Sequence, residues 1–241
     1  AVVDTGDAGS AVDAAQERLA QEHPGVGVER KLSDDPAAYA LIEAAAEADL
    51  LVVGSRGFGG FRGLLLGSVG QHCLTHAACS VAIIRPSEAS TTNGPDVVDG
   101  RAGRIVVGVD GSDGANLALD WAVGEARRTG GEIDIVASSV LAGASGYVVT
   151  VDVGVPDAAT QAVGEALARV AREAPEVVVL GATREDPPAV ALVDASREAG
   201  LLVLGSRGLG AFRGLLLGSV SHHVATHAHC PVVVVRRRPS V

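Results

Sequence analysis

Residues 205–220 read GSRGLGAFRGLLLGSV, and they follow the apolar run Leu201–Leu204. That run has the length and composition of a buried strand. The stretch ends at Gly218 and Ser219, where a segment with the apolar spacing of a helix begins. A glycine-rich loop lets the backbone approach a ligand closely, and the first N–H groups of the following helix have no internal partner. The stretch therefore predicts an α/β fold that carries a phosphate-binding loop.

A second copy of this stretch lies 151 residues upstream, at residues 54–69, where the chain reads GSRGFGGFRGLLLGSV after the apolar run Leu50–Val53. Between residues 54–85 and residues 205–236, 21 of 32 positions are identical without a gap. Both copies contain the spacing G-x2-G-x9-G-S. A period of this kind indicates a tandem repeat, and 241 residues leave room for two domains.

The composition narrows the class of protein. Apolar residues make up 47% of the chain and aromatic residues 2%, which favours parallel strands and helices packed through Val, Leu, Ile and Ala. The net charge of −10 argues against nucleic acid and anionic membranes as partners. No apolar run in the sequence reaches the length of a membrane span. Three cysteines, an odd number, argue against a disulfide framework and predict a reducing, cytoplasmic location.

The second repeat reads as alternating strands and helices. We predict strands over residues 104–110, 133–140, 177–180, 201–204 and 232–236, and helices over residues 113–129, 157–173, 187–199 and 219–228. Alternation of this kind implies right-handed crossovers and a doubly wound parallel sheet.

The first repeat is incomplete. Residues 1–23 correspond to the second helix of the repeat and Val26–Lys31 to its third strand, so its first two strands and first helix have no counterpart. We expect a truncated domain over residues 1–86, a linker rich in Ser, Thr, Pro, Gly and Asp over 87–103, and a complete domain over 104–241. A piece of a longer tandem protein is favoured over a naturally shortened domain, because loss of central strands leaves edges unpaired.

The G-x2-G-x9-G-S spacing, followed in both copies by His-Ala-x-Cys-x-Val, resembles the universal stress protein family over nearly the whole chain. The resemblance implies a Rossmann-like, five-stranded parallel sheet of order 3-2-1-4-5 in the second domain and an incomplete copy of it in the first. It also implies that the fifth strands, Val81–Arg85 and Val232–Arg236, pair antiparallel as an intramolecular pseudo-dimer, with a homo-oligomer as a further option.

The nucleotide-binding branch of that family binds ATP, so the resemblance implies an adenine nucleotide here, with Mg²⁺ as an optional ion between its phosphates. It places one group at the ribose and first phosphate, namely Gly205, Ser206, Arg207 and Gly208. It places a second group at the further phosphates, namely Gly218, Ser219 and Val220. Asp110 would lie beside the nucleoside, and a backbone contact near Ser138 would complete the adenine pocket.

The first loop contains the equivalent residues Gly54, Gly57, Gly67 and Ser68, but the chain has no counterpart of Asp110 for it. We therefore expect that loop to cradle phosphate while lacking half of the pocket. Neither loop is a Walker A motif or a dinucleotide fingerprint. The loop arginines, Arg56, Arg62, Arg207 and Arg213, suit either phosphate contacts or a solvated surface.

Two histidine pairs, His72/His76 and His223/His227, have a spacing that suits metal ligands, but the further ligands of a metal site are missing from the pattern. No metal site is predicted. No nucleophile elbow or positioned general base is evident either, so at most slow ATP hydrolysis is expected. The resulting hypothesis is an ATP-binding regulator or sensor of the stress response. A weak ATPase and a scaffold or oligomerisation module without nucleotide binding stay open as alternatives.

Overall fold

The computed structural model describes residues 5–57, 65–85, 103–139, 157–210 and 216–237. Residues 87–102 of the predicted linker lie outside these ranges. The elements of the first repeat are α1 (Thr5–Glu22), α2 (Ala37–Ala44), β1 (Leu50–Gly54), α3 (Ser68–His76) and β2 (Ser80–Ile84). Those of the second repeat are β3 (Arg104–Gly108), α4 (Asp113–Thr129), β4 (Glu132–Ser138), α5 (Ala158–Glu173), β5 (Val179–Arg184), α6 (Pro188–Ala195), β6 (Leu201–Gly205), α7 (Ser219–His227) and β7 (Val232–Val235).

The described strands form one seven-stranded sheet of order β1-β2-β7-β6-β3-β4-β5. Its second-repeat strands are parallel and stand in the order 3-2-1-4-5, as predicted. The sheet does not end there, because β2 pairs antiparallel with β7 through Val81 with Val234, Ala82 with Val233 and Ile83 with Val232. The five-stranded sheet of the second repeat is thus extended by two strands of the first.

Helices cover both faces of the second repeat, which makes the sheet doubly wound. On one face, α6 and α7 pack with α2 and α3 around a core that includes Leu74, Leu192 and Val224. On the other face, α4 and α5 pack through Leu119 and Val163. Because few aromatic residues are available, small side chains such as alanine let these helices lie close to the strands.

The described part of the first repeat has no helix on one of these faces, and its strands show the consequence. Val52 in β1 is 54% exposed, whereas its counterpart Val203 in β6 is fully buried. Val203 belongs to the core formed with α4, and no helix among the described residues of the first repeat is a counterpart of α4. The same apolar strand sequence is therefore half-covered in one repeat and buried in the other.

Two details of the predicted strands are wrong. Val26–Lys31 forms no strand, because the strand that would pair with it has no counterpart in these residues. The third strand of the second repeat is Val179–Arg184 rather than residues 177–180. Its apolar run stops at Leu180, but the backbone ladder with β4 continues to the pair Ser138 and Arg184. Hydrogen bonding, not hydrophobicity, sets that end of the strand.

Two helices of the second repeat begin with a side-chain cap. The Ser112 hydroxyl accepts a hydrogen bond from the Ala115 N–H at 3.2 Å at the start of α4. The Asp157 carboxylate accepts one from the Thr160 N–H at 2.7 Å at the start of α5, and this bond lowers the pKa of Asp157. Such caps satisfy N–H groups that a helix leaves unpaired. Within the described ranges, no helix combines the length and apolar character needed to cross a membrane.

Candidate phosphate-binding site

The second glycine loop leaves the sheet at its topological switch point. Strands β3 and β6 are parallel neighbours, and the sheet continues to β4 on one side and to β7 on the other. Ligands of open α/β sheets bind in the crevice at the carboxyl ends of such strands. Asp110 follows β3 and Gly205 ends β6, so the structure brings these two predicted residues to the same crevice.

Asp110 joins the two chain segments that meet there. Its Oδ1 accepts a hydrogen bond from the Ser112 N–H at 3.0 Å, and its Oδ2 accepts one from the Leu209 N–H at 2.9 Å. The residue is half-buried. A carboxylate has about four acceptor positions, so Asp110 retains acceptor capacity for a ligand hydroxyl.

Gly205 and Gly208 are required by close approaches inside the protein. A Cβ on Gly205 would lie 2.5 Å from the carbonyl carbon of Gly114, in the first turn of α4. A Cβ on Gly208 would overlap Oδ2 of Asp110. These two glycines therefore let the loop pack onto α4 and Asp110, in addition to any approach by a ligand.

Internal hydrogen bonds define the shape of the loop. The Ser206 N–H donates to the Val235 carbonyl at 2.9 Å, and the Gly218 N–H donates to the Ser206 carbonyl at 2.8 Å. The start and the end of the loop are thus tied together beside β7. The Gly218 N–H is therefore already paired within the protein.

Helix α7 begins directly after this loop, and no described side chain caps it. Its first residues, Ser219 and Val220, therefore present N–H groups of the kind that anions bind, at the positive end of the helix dipole. Ser219 is exposed, so its hydroxyl is accessible as well. This uncapped start contrasts with the capped starts of α4 and α5.

Ser221 adds a contact that the sequence pattern does not reveal. Its buried hydroxyl donates to the Gly205 carbonyl at 2.7 Å, which ties the first turn of α7 to the end of β6. The counterpart in the first repeat is Gly70, which has no hydroxyl. The difference between Ser221 and Gly70 is the only sign of this contact in the sequence, and it does not show what the hydroxyl contacts.

Of the remaining predicted residues, Ser138 lies away from the loop, and Arg207 is an exposed residue of the loop. Ser138 ends β4, and β3 separates it from the glycine loop. Its hydroxyl donates to the Asp186 carbonyl at 2.6 Å. Arg207 is exposed, and its carbonyl faces the first turn of α4 at Gly114.

The first loop repeats the backbone pattern of the second. The Ser55 N–H donates to the Ile84 carbonyl and the Gly67 N–H to the Ser55 carbonyl, both at 2.8 Å, and α3 likewise has no described side-chain cap. However, among the described residues, a Cβ on Gly57 would meet nothing within 4 Å, and one on Gly54 would meet only Arg56 of its own loop, at 3.2 Å. The described part of the first loop thus forms the same hydrogen bonds without the contacts to α4 and Asp110 that the second loop makes.

The model of the universal stress protein family matches residues 3–85 and 102–236. The chain belongs to this family. A universal stress protein of Mycobacterium tuberculosis is 39% identical over 201 residues, which cover 81% of the chain and 64% of the relative. One of Mycolicibacterium smegmatis is 32% identical over 242 residues, covering 95% of the chain and 76% of the relative.

Among solved structures, a universal stress protein of Archaeoglobus fulgidus covers 99% of the chain at a TM-score of 0.65. The chain corresponds to 81% of that structure, and the two are 22% identical. The likeness confirms the fold. The chain spans just under two thirds of the length of the tuberculosis relative.

Four of the seven histidines of this family member form ring pairs, one pair on α3 and one on α7. The rings of His72 and His76 lie 4.4 Å apart, and those of His223 and His227 stack at 4.1 Å. Burial, together with the neighbouring imidazoles, lowers the pKa of His223. In the part of the chain that the structure describes, no group of three or more His, Cys, Asp or Glu side chains is arranged to hold a metal ion.

All three cysteines are buried as free thiols. Burial raises the pKa of Cys230 to about 12 and also raises that of Cys73. The thiolate is the reactive form, so at pH 8 we expect iodoacetamide to modify Cys230 and Cys73 only slowly in the folded protein and all three cysteines after denaturation. Mass spectrometry of timed reactions measures this, and rapid modification of Cys230 in the folded protein would contradict it.

Proposed function

We propose that this universal stress protein binds ATP at its second glycine loop and acts as a nucleotide-responsive regulator in the stress response. The observation that carries the proposal is the uncapped start of α7, which follows a loop fastened at its other side to Asp110. One loop thereby borders both an anion-binding helix start and a carboxylate suited to a sugar hydroxyl.

The phosphates would bind at the start of α7. The N–H groups of Ser219 and Val220 and the Ser219 hydroxyl are the donors, and the helix dipole favours negative charge at this end. Gly218 contributes by its lack of a side chain, since its own N–H is used by Ser206. The exposed Arg207 adds positive charge at the entrance.

The nucleoside would bind beside Asp110. The carboxylate already accepts hydrogen bonds from Ser112 and Leu209, which fix its orientation, and its remaining acceptor positions suit a ribose hydroxyl. The adenine would extend toward the end of β4, where the backbone near Ser138 offers hydrogen-bonding groups. The residues present fit a nucleotide in this orientation.

A magnesium ion, when present, would be held by phosphate oxygens and the Ser219 hydroxyl, as is usual for a cation that is bound together with its phosphates. Asp110 accepts hydrogen bonds from two backbone N–H groups that fix its orientation, so we assign it the positioning of the ligand and assign no residue the activation of water. Binding with little or no hydrolysis is accordingly the function that we propose.

The proposal predicts one ATP bound per chain, because the first loop has no counterpart of Asp110 or α4. Isothermal titration calorimetry of the 241-residue protein measures the stoichiometry. Ser219→Ala is expected to weaken ATP binding about fivefold, since it removes one hydrogen bond worth about 1 kcal/mol.

Ser68→Ala is the matched control, because Ser68 occupies the equivalent position of the first loop. It should leave the affinity of the second loop unchanged. A folded protein that shows no saturable binding of ATP would refute the proposal and favour a scaffold. Steady phosphate release that Ser219→Ala abolishes would instead favour a weak ATPase.

A further inference from the structure

Two arginines in equivalent positions lie between the repeats. Arg85 follows β2 directly and Arg236 follows β7, so the antiparallel pairing of these strands places the two side chains on opposite sides of the junction. Each side chain is largely withdrawn from solvent, and the Nε atom of each is buried without a hydrogen-bond partner among the described residues. Guanidinium groups are rarely buried unless they are well partnered.

Arg236 contacts its own loop and the opposite repeat at once. Its Nη1 donates to the Leu216 carbonyl at 3.4 Å, two residues before the glycine that precedes α7. Its Nη2 donates to the carbonyls of Leu74 and Thr75, the latter at 3.3 Å, in the last turn of α3. The second loop is thereby fastened to a helix of the first repeat.

Arg85 makes the reciprocal contacts. Its Nη1 donates to the Leu65 carbonyl of the first loop at 3.2 Å, and its Nη2 donates to the Ala225 carbonyl in α7 at 2.5 Å. The Ala225 carbonyl lacks its usual helical donor, because the His229 N–H donates to the Ser196 hydroxyl instead. Arg85 thus supplies a hydrogen bond that the end of α7 would otherwise lack.

A positive charge is favourable at this place for a second reason. The carboxyl end of a helix carries the negative end of its dipole, and its last carbonyls have no internal partners. Burial lowers the pKa of both arginines, which shows that removal from water opposes their charge. The carbonyl contacts offset that cost, so each arginine depends on the helix of the other repeat.

The helices themselves meet at the same junction. The Nε2 atoms of Gln71 and His222, which are equivalent residues of α3 and α7, lie 3.3 Å apart. Since α3 starts at the first loop and α7 at the second, each of these helices contacts the arginine that also holds the other loop. Each glycine loop is thus connected, through its arginine, to the helix that follows the other loop.

We propose that Arg85 and Arg236 are positioning residues that couple the two glycine loops, so that the first repeat shapes the nucleotide site of the second. Arg85 holds α7 at its carboxyl end, and the opposite end of the same helix is the proposed phosphate site. Arg236 fixes the approach to Gly218 against α3. This inference rests on the proposed nucleotide binding, and it assigns the first repeat a role even if its own loop stays empty.

The test is Arg85→Gln in the 241-residue protein, measured by ATP titration and by hydrogen–deuterium exchange without nucleotide. We expect ATP affinity at the second loop to fall about fivefold or more, the lower range of coupling between distinct sites. Exchange of the amides of α7 should become faster, although Arg85 belongs to the other repeat. Protection of Val81–Ile83 in the ladder between β2 and β7 should persist, which shows that the junction is intact.

Two further variants serve as controls for Arg85→Gln. Arg172→Gln removes an exposed arginine of α5, which pairs only with neighbouring Glu173 in the described contacts, and should change neither measurement. Arg85→Lys keeps the charge but has a single head group, so it should restore part of the affinity.

The outcomes separate this inference from the proposed function. Should Arg85→Gln lower the unfolding temperature while ATP affinity and α7 exchange stay as in the parent protein, the arginine is merely structural and the inference is overturned. Should the parent protein itself fail to bind ATP, the proposed function is lost. The exchange of α7 then still decides whether Arg85 couples the two repeats.

Discussion

Replacing Gly205 with alanine is expected to lower the free energy of unfolding by about 3 kcal/mol, the upper range for overpacking a tight contact. The added Cβ would lie 2.5 Å from the carbonyl carbon and 2.6 Å from the carbonyl oxygen of Gly114. Both atoms belong to the backbone of α4, so neither can rotate away. A loss of this size lowers the unfolding temperature by roughly 6–12 °C in a protein of this length, which calorimetry measures.

Gly54→Ala is the matched control for this prediction. It makes the same chemical change at the equivalent place of the first repeat, where the nearest atom to a Cβ is the Arg56 carbonyl oxygen at 3.2 Å. We expect a loss below about 1 kcal/mol, because a small adjustment within the loop relieves the contact. Equal losses for the two variants would show that the packing of the loop on α4 is not the cause.

Replacing Gly208 with alanine is expected to weaken ATP binding about tenfold or more and also to lower the free energy of unfolding. The new Cβ would displace the Asp110 carboxylate, which is a side chain and can turn away. The charge-assisted hydrogen bond from the Leu209 N–H is then lost, together with the orientation of Asp110 toward the nucleoside. A hydrogen bond from a ribose hydroxyl to the charged Asp110 would contribute about 1.5–3 kcal/mol, which corresponds to a tenfold or larger change in affinity, and calorimetric titration of each variant with ATP measures the change.

Gly57→Ala serves as the control, since a Cβ there would meet no described atom within 4 Å. It should bind ATP as the parent protein does. Asp110→Ala should weaken binding as well, and combining it with Gly208→Ala should add little, because both changes remove the same interaction. Fully additive losses, or unchanged affinity in Gly208→Ala, would contradict the assigned role of Asp110.

The same contacts also decide which glycine is best replaced to obtain a folded variant that does not bind ATP. Gly205 is an unsuitable position, because its substitution disturbs the contact between the loop and α4 before any ligand is considered. Gly218 is more suitable, since a Cβ there would lie 3.4 Å from the Ser206 carbonyl oxygen and 3.6 Å from Arg207, which is ordinary contact. A loss of ATP binding in Gly218→Ala would report on the ligand site rather than on folding.

Local signals predicted most of the second repeat. The strands at residues 201–205 and 232–235 and the helix at residues 219–227 match their apolar runs within one or two residues. The described ends of the two loops form the same pair of backbone hydrogen bonds in both repeats, because their sequences are nearly identical. Val26–Lys31 shows the limit of such signals, since an apolar segment forms a strand only where another strand pairs with it.

The sequence likewise predicted only part of the candidate site. The spacing of the glycines and Ser219 identified the loop and the start of α7, and the strand end at Asp110 pointed to the other side of the crevice. The sequence did not predict the reciprocal contacts of Arg85 and Arg236, because their partners are carbonyl groups 140 and 161–162 residues away. Backbone carbonyls have no side-chain identity, so no residue pattern marks them.

The sequence by itself determined the strand–loop–helix unit, its duplication and the alternation of strands and helices around it, because periodicity and turn chemistry act within a few residues. Only the tertiary structure decided that Gly205 packs against Gly114, that Asp110 fastens the loop, and that two arginines link the repeats. The same loop sequence occurs twice, yet one copy lies against α4 and Asp110 while the other has neither. Packing and hydrogen bonding between distant segments depend on which elements surround the loop, and the loop sequence does not contain that information.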